Sequence, residues 1–308
     1  MKQVYHLFKT ATCFLFLLTA IPVVAQRALT NVTALQLSDL PKLTAGAQGW
    51  ADYDGDKLPD LLITGRTNSG DLLTRLYHNT GKGFEDKSSL LPNLPQVASI
   101  AVLWGDYDED QKPDLFISGM SAGGPVFKIY HNTGGGFAEV TLTGDAIPAL
   151  SSGTINLANL NDVYKYLFVT GNTGTSTFSG LFSCQYANLP ANTIQLTNWS
   201  NFLPSLPMLQ NSAVSCVDFN KDLSDDFLIT GDDGTNNISK LYLSLPKRGY
   251  TDLSGSMAQL PQVNLGSLAS ADYNGDGMPD IMMTGIAGGV PVSKLYQNVL
   301  ATSGWGPF

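Results

Sequence analysis

Cysteine and histidine are almost missing from this chain, three of each in 308 residues, and charged side chains account for only 14%. Cys13 falls inside an apolar N-terminal run, which leaves Cys184 and Cys216, too few for a disulfide-stapled scaffold or a thiolate metal cluster. Cys216 stands where equivalent segments carry Trp50 and Trp104, a core position that suits a small buried hydrophobe. A bridge to Cys184 stays open, because spacing alone does not bring two sulfurs within bonding distance. Beyond His6, the histidines are His78 and His131, both in the setting Tyr-His-Asn-Thr, which fits strand-end hydrogen bonding better than a facing catalytic pair. A His-Glu-x-x-His motif and a Gly-rich loop ending in Gly-Lys are absent, and the one Gly-x-Ser-x-Gly match, Gly119 to Gly123, falls in a turn between two strands and not at the strand-to-helix elbow of a lipase, which removes support for zinc-hydrolytic, phosphate-loop and lipase-type nucleophilic chemistry. Basic residues are scarce as well: 17 Lys and Arg stand against 26 Asp and Glu, and the balance of −9 argues against a nucleic-acid partner. Helical periodicity is nowhere sustained, and past the N-terminus no apolar run approaches the roughly 18 residues a spanning helix needs.

What the chain has is one acidic loop written four times. In WADYDGDKLPDLLITG, Asp52, Asp54 and Asp56 alternate along a turning backbone, and Asp60 closes the loop from its far side. Three or four carboxylates, one backbone carbonyl and a water complete the six to eight oxygens, at roughly 2.3–2.6 Å, that Ca²⁺ takes. The carbonyl is assigned to Leu58, which Pro59 holds extended. The same spacing recurs as Asp106, Asp108, Asp110 and Asp114, with the carbonyl of Lys112. It recurs again as Asp218, Asn220, Asp222 and Asp226 with Ser224, and as Asp272, Asn274, Asp276 and Asp280 with Met278. A fifth segment, INLANLNDVYKYLFVTG, keeps the strand and its Gly171 ending but has Tyr166 where the last carboxylate belongs, so no metal is expected there. The loops differ from an EF-hand: Ile63 stands where the terminal Glu would be, and no amphipathic helix flanks them. Four structural Ca²⁺ ions are the cofactor expectation. Loops one and two, with four carboxylates each, are expected to bind tightest; Asn220 and Asn274 weaken the others, and Lys221 further opposes a cation in the third.

These residues resemble the FG-GAP/VCBS repeat, the calcium-loop blade of integrin-α-like β-propellers. The resemblance implies an all-β propeller, calcium in a structural role, and a partner bound on the face away from the calcium loops. The spacing of the motifs agrees. Asp52 to Asp106 is 54 residues, Asp106 to Asn159 is 53, Asn159 to Asp218 is 59 and Asp218 to Asp272 is 54, the size of a four-stranded blade. The residues from 286 to the end and from 26 to 51 together supply one further interval, which predicts five four-stranded blades in residues 26–308, with 32–40 pairing as the outermost strand of the last blade. The alternative is a fragment of a six- or seven-bladed ring. Tyr77, Tyr130, Phe182, Tyr242 and Tyr296 recur at one position and are assigned to packing between blades.

Lys2 and Lys9, the apolar run 14–20 and the small residues Val23 and Ala25 read as a secretory signal peptide over residues 1–25, so the protein is expected outside the cell or at its surface, or in the periplasm of a bacterium. Without that segment, 15 basic residues face 26 acidic ones, a balance of −11, and 16 of the acids lie in the four loops. The acidity therefore belongs to metal sites more than to a partner.

Three functions are weighed: a non-enzymatic module that binds a glycan or a protein, a carboxylate-based polysaccharide hydrolase, and a bare scaffold. A glycosidase needs two facing carboxylates roughly 5–9.5 Å apart. Outside the loops, Asp71, Glu139, Asp145, Asp232 and Asp233 are scattered with no shared motif, which favours binding. The variable turns opposite the metal loops are 66–71, 120–125, 172–177, 232–237 and 286–291. They make Arg66, Asp71, Asp232 and Asp233 the candidate ligand contacts.

Overall fold

In the computed structural model, residues 40–161, 163–245, 249–256 and 260–299 are described; the expected signal peptide and most of the expected strand at 32–40 lie outside them. The described residues form five sheets in chain order, antiparallel but for one parallel strand pair, the blades of a β-propeller. The first strands lie innermost: Gln48–Ala51, Ala98–Gly105, Ser152–Asn159, Gln210–Val217 and Asn264–Ala271. The second strands, Asp60–Thr67, Asp114–Ser121, Lys165–Asn172, Asp226–Asp232 and Asp280–Ala287, follow directly after the acidic loops. Third strands run Leu72–Asn79, Gly124–Asn132, Thr177–Gln185, Asn237–Leu245 and Val290–Tyr296.

The sequence of the second strands accounts for their place. Asp-Leu-Leu-Ile-Thr-Gly and its equivalents are continuous apolar runs, because a strand in mid-blade is covered on both faces by the blades beside it. Leu62, Phe116, Phe168 and Leu228 point to one side, and Leu61, Leu115, Leu167, Phe227 and Ile281 to the other. Burying one such side chain is worth about 1.5–3 kcal/mol. The recurring aromatics behave as expected: Tyr130, Phe182 and Tyr242 are fully buried between blades. Cys184 and Cys216 are free thiols, Cys184 within the core.

The first strands of four blades bend near their start, whereas that of blade 3 pairs without a break. In blades 2, 4 and 5 the pairing slips between Ala98 and Ala101, Gln210 and Ala213, and Asn264 and Ser267. Blade 1 breaks at the same place into Leu43–Thr44 and Gln48–Ala51. A Cβ at Gly46 would sit 2.0 Å from the Thr64 carbonyl oxygen, so this bend requires glycine.

The outer edges of the blades vary around the four-stranded pattern. The segment GFAEVTLTG does not form a single strand: the fourth strand of blade 2 ends at Phe137–Glu139, and Thr141–Gly144 pairs in parallel with Thr193–Asn198 of blade 3. The long outer strand of blade 3 would otherwise present an open edge, and this strap covers it. Asp145 finishes the strap by accepting the Asn198 N–H at 2.7 Å. In addition, the fourth strands of blades 1 and 2 span only three residues each, and blade 5 has three strands among the described residues.

Candidate metal centres

The four acidic loops fold alike because each aspartate caps the backbone just ahead of it. Asp52 accepts the Gly55 and Lys57 N–H groups, both at 2.8 Å, and Asp56 accepts that of Leu58 at 2.8 Å. Asp106 accepts Asp110 and Gln111, and Asp110 accepts Lys112. Asp218 accepts Asp222 and Leu223, and Asp222 accepts Ser224. Asp272 accepts Gly275, Asp276 and Gly277, and Asp276 accepts Met278. These bonds hold the fourth and sixth loop residues at positive φ. Glycine fills both places in the last loop, Gly275 and Gly277, whereas the third loop puts Lys221 at φ 60° and Leu223 at φ 72°. A non-glycine residue there costs roughly 1–2 kcal/mol. Leu223 is 71% exposed, so little burial offsets the cost. Leu223→Gly is therefore expected to raise the melting temperature by a few degrees in EDTA; an unchanged or lower value would show that the loop is not strained.

The ninth-position aspartates do different work. Asp60, Asp114, Asp226 and Asp280 are buried, and each ties its own loop to its third strand. Asp60 accepts the Tyr53 N–H at 3.1 Å and the Asn79 N–H at 2.7 Å. Asp114 does the same with Tyr107 and Asn132, Asp226 with Phe219 and Ser244, and Asp280 with Tyr273 and Asn298. Burial raises the Asp114 carboxyl to about 8 and that of Asp226 to about 7, and it pushes Asp60 up as well. Desolvation outweighs the N–H donors in each case, which is the setting in which a bound cation stabilises the ionised form. Asp276 moves the other way, held low by the Met278 N–H and the Asn274 amide.

The ligand atoms converge. Carboxylate oxygens of Asp52, Asp54 and Asp56 lie within 4.8 Å of one another, and so do those of Asp106, Asp108 and Asp110. Two further groups of the same compactness are Asp54, Asp60 and His78, and Asp108, Asp114 and His131. Asp54 and Asp108 thus join the exposed part of each loop to its buried aspartate. His78 Nδ1 is 3.1 Å from both Asp54 and Asp60, and His131 Nδ1 is 3.3 Å from Asp108 and 3.2 Å from Asp114. The two histidines are strand-end hydrogen-bonding residues, as expected, but the carboxylates they meet are those of the loops. In the third loop Leu243 stands at the histidine position, and Ser244, at the place of Asn79 and Asn132, donates its Oγ–H to Asp222 at 2.7 Å. The Lys112 ammonium bonds the Asp110 side chain, and its hydrogen bond keeps Asp110 low against the upward push of partial burial. The donor set, all oxygen apart from the imidazoles, fits a hard divalent cation. Tyr166 is buried where the degenerate copy lacks its aspartate.

The candidate ligand contacts fall into two groups. Arg66 and Asp71 share one exposed turn of blade 1, where the Arg66 guanidinium donates to Gly70 O at 2.7 Å and Asp71 accepts the Ser69 hydroxyl. Asp232 and Asp233 lie in blade 4, and Asp232 is buried beneath the amides of Gln210, Asn211 and Asn264. Asp233 is exposed and caps the N–H groups of Thr235 and Asn236. Of the remaining scattered acids, Glu139 pairs with Lys128 at 2.7 Å.

Residues 52–117, from the first loop through the second, match the family model of the FG-GAP-like repeat. The chain is a five-bladed β-propeller, and its residues 52–117 carry the FG-GAP-like repeat pattern. No curated protein matches it. Among solved structures it is similar to one titled as the crystal structure of a thermostable family-43 glycoside hydrolase. The identity is 10% over 85% of this chain and 97% of that chain, with a TM-score of 0.37, a likeness too slight to bear on function.

Proposed function

We propose that the protein is an exported, calcium-stabilised propeller that binds a glycan or protein ligand without catalysing a reaction. The observation that carries this reading is the fourfold recurrence of one loop geometry, each copy closed by a buried aspartate that links it to the blade. Calcium then stiffens one face. The turns between second and third strands open on the other, where Arg66, Asp71 and Asp233 are exposed. The non-catalytic part of the reading is supported by the local engagement of the acids outside the loops: Asp71, Glu139, Asp145, Asp232 and Asp233 each hold a bond within their own turn or seam.

A glycan array probed with and without Ca²⁺ tests the reading, together with calorimetric titration of Ca²⁺. About four ions taken up, and a ligand whose binding falls in Arg66→Ala and Asp233→Ala at unchanged melting temperature, are the expected results. Loss of ligand binding in Asp54→Asn without loss of stability would place calcium in the ligand contact and move the binding face to the metal loops. Turnover of a polysaccharide would overturn the non-catalytic reading.

A further inference from the structure

The four acidic loops are alike in their aspartates but not in the residue that faces them. In each blade the second strand pairs with the third, through Leu61 and Tyr77, Leu115 and Tyr130, Phe227 and Tyr242, and Ile281 and Tyr296. One step beyond each pair, the buried ninth-position aspartate meets the third strand. The residue there is His78 in blade 1 and His131 in blade 2, but Leu243 in blade 4 and Gln297 in blade 5. Leu243 is buried and has no ligand atom, and the Gln297 side chain hydrogen-bonds Asp276. Two loops of this chain therefore face an imidazole, and two do not.

The two imidazoles are placed in the same way. Nδ1 of His78 is 3.1 Å from a carboxylate oxygen of both Asp54 and Asp60, and Nδ1 of His131 is 3.3 Å from Asp108 and 3.2 Å from Asp114. Adjacent ligands of an ion with bonds of roughly 2.1 Å stand about 3.0 Å apart, so these three atoms need little movement to share one. Each ring is held edge-on by an aromatic of its own loop: Tyr53 lies 6.2 Å from His78 at 70°, and Tyr107 lies 6.0 Å from His131 at 66°, centroid to centroid. Both tyrosines are buried. Nor can Asp60 and Asp114 turn away, since each is buried and accepts two backbone N–H groups. One nitrogen and two carboxylates are thus fixed from three segments, the loop, the start of the second strand and the end of the third. Asp52 and Asp56 stand beside Asp54, and Asp106 and Asp110 beside Asp108, as further oxygen donors.

Calcium gains nothing from such a nitrogen, because its shell is built of oxygen. First-row divalent transition ions, in contrast, accept imidazole and carboxylate together. We propose that the loops of blades 1 and 2 bind a first-row transition-metal ion in preference to Ca²⁺, with Nδ1 of His78 or His131 as a ligand, whereas the loops of blades 4 and 5 remain calcium sites. The bound ring carries its proton on Nε2. Where no transition ion is supplied, all four loops take calcium. This inference rests on the reading that the loops hold a divalent cation, and it divides them into two classes by one residue each.

The probe is Co²⁺, added to the full chain in excess Ca²⁺. Equilibrium dialysis counts the ions, and proton NMR reads the ligation, because an imidazole bound to Co²⁺ through Nδ1 shows its Nε2–H as a solvent-exchangeable resonance shifted far downfield. Two Co²⁺ ions per chain and two such resonances are the expected result. His78→Gln and His131→Gln, which install the residue that blade 5 carries, should each remove one resonance and weaken Co²⁺ at that loop by about tenfold or more, with calcium uptake elsewhere unchanged. Gln297→His should add a third Co²⁺ ion, and this variant decides if the first two fail to fold. Co²⁺ bound without an imidazole resonance, or with equal affinity in the histidine variants, would overturn the proposal and leave both histidines as hydrogen-bond donors to calcium loops. Full displacement of Co²⁺ by Ca²⁺ would overturn the preference in the same way. Both of those failures leave calcium uptake intact. If neither ion is taken up, the reading of the loops as metal sites falls together with the proposal.

Discussion

Chelation with EDTA should lower the melting temperature of this protein by more than about 10 °C. A ligand that binds only the native state adds about 2.7 kcal/mol per site at a hundredfold excess over its Kd, and a domain of this size shifts by roughly 2–4 °C per kcal/mol. Two occupied loops therefore suffice for the effect, and the first two have four carboxylates each. The pH dependence should change sign with the metal. Without calcium, the buried carboxyls of Asp114 and Asp226 have folded-state values of about 8 and about 7, above their unfolded values near 4. A raised carboxyl contributes stability that is present at low pH and is lost as pH rises through the folded value. In EDTA the protein should then be less stable at pH 8.5 than at pH 6. With calcium, which needs those groups ionised, the order should reverse. Thermal melts in a two-by-two design of pH and chelator read both effects. A melting temperature indifferent to EDTA would remove calcium from the account.

The loops were legible in the sequence because their chemistry is local. Asp52, Asp54 and Asp56 each accept backbone N–H groups two to five residues ahead, those of Gly55 and Lys57, of Asp56, and of Leu58. The blade count was legible because the loops recur at a nearly constant interval, and the aromatic positions because that interval puts Tyr130 and Tyr242 at equivalent seams. The carboxylate partners of His78 and His131 were not legible. The contact with Asp54 and Asp60 spans 18 residues or more and depends on the register of the second strand against the third, where Leu61 pairs with Tyr77. No pattern in the chain states that register. The parallel strap at Thr141–Gly144 was hidden for a similar reason, since its partner lies some fifty residues on. Asp232 looked like an exposed turn residue from its Asp-Asp-Gly context, yet amides from two blades converge on it. Local turn chemistry predicts local bonds; it does not report what another blade brings.

The two kinds of aspartate within one loop should separate cleanly in mutants. Asp114→Ala is expected to destabilise the protein by about 3–5 kcal/mol even in EDTA, whereas Asp108→Ala should be close to neutral there. Asp114 is fully buried and accepts the backbone N–H groups of Tyr107 and Asn132, so its removal strands two buried donors at about 1–3 kcal/mol each and opens the joint between loop and third strand. Asp108 accepts one long bond, 3.4 Å from the Asp110 nitrogen, and meets His131, so little is lost with it when no metal is bound. In calcium the ranking should narrow, because Asp108→Ala removes a ligand that only the ion uses, and one equivalent of Ca²⁺ should vanish from the titration. Blade 3 already carries out half of this experiment: it fills the Asp114 position with buried Tyr166 and is expected to stand without a metal. Denaturant melts of both variants, with and without chelator, would settle the division. If Asp108→Ala proves as damaging in EDTA as Asp114→Ala, the loop is a single structural unit and the ninth position has no separate part in the fold.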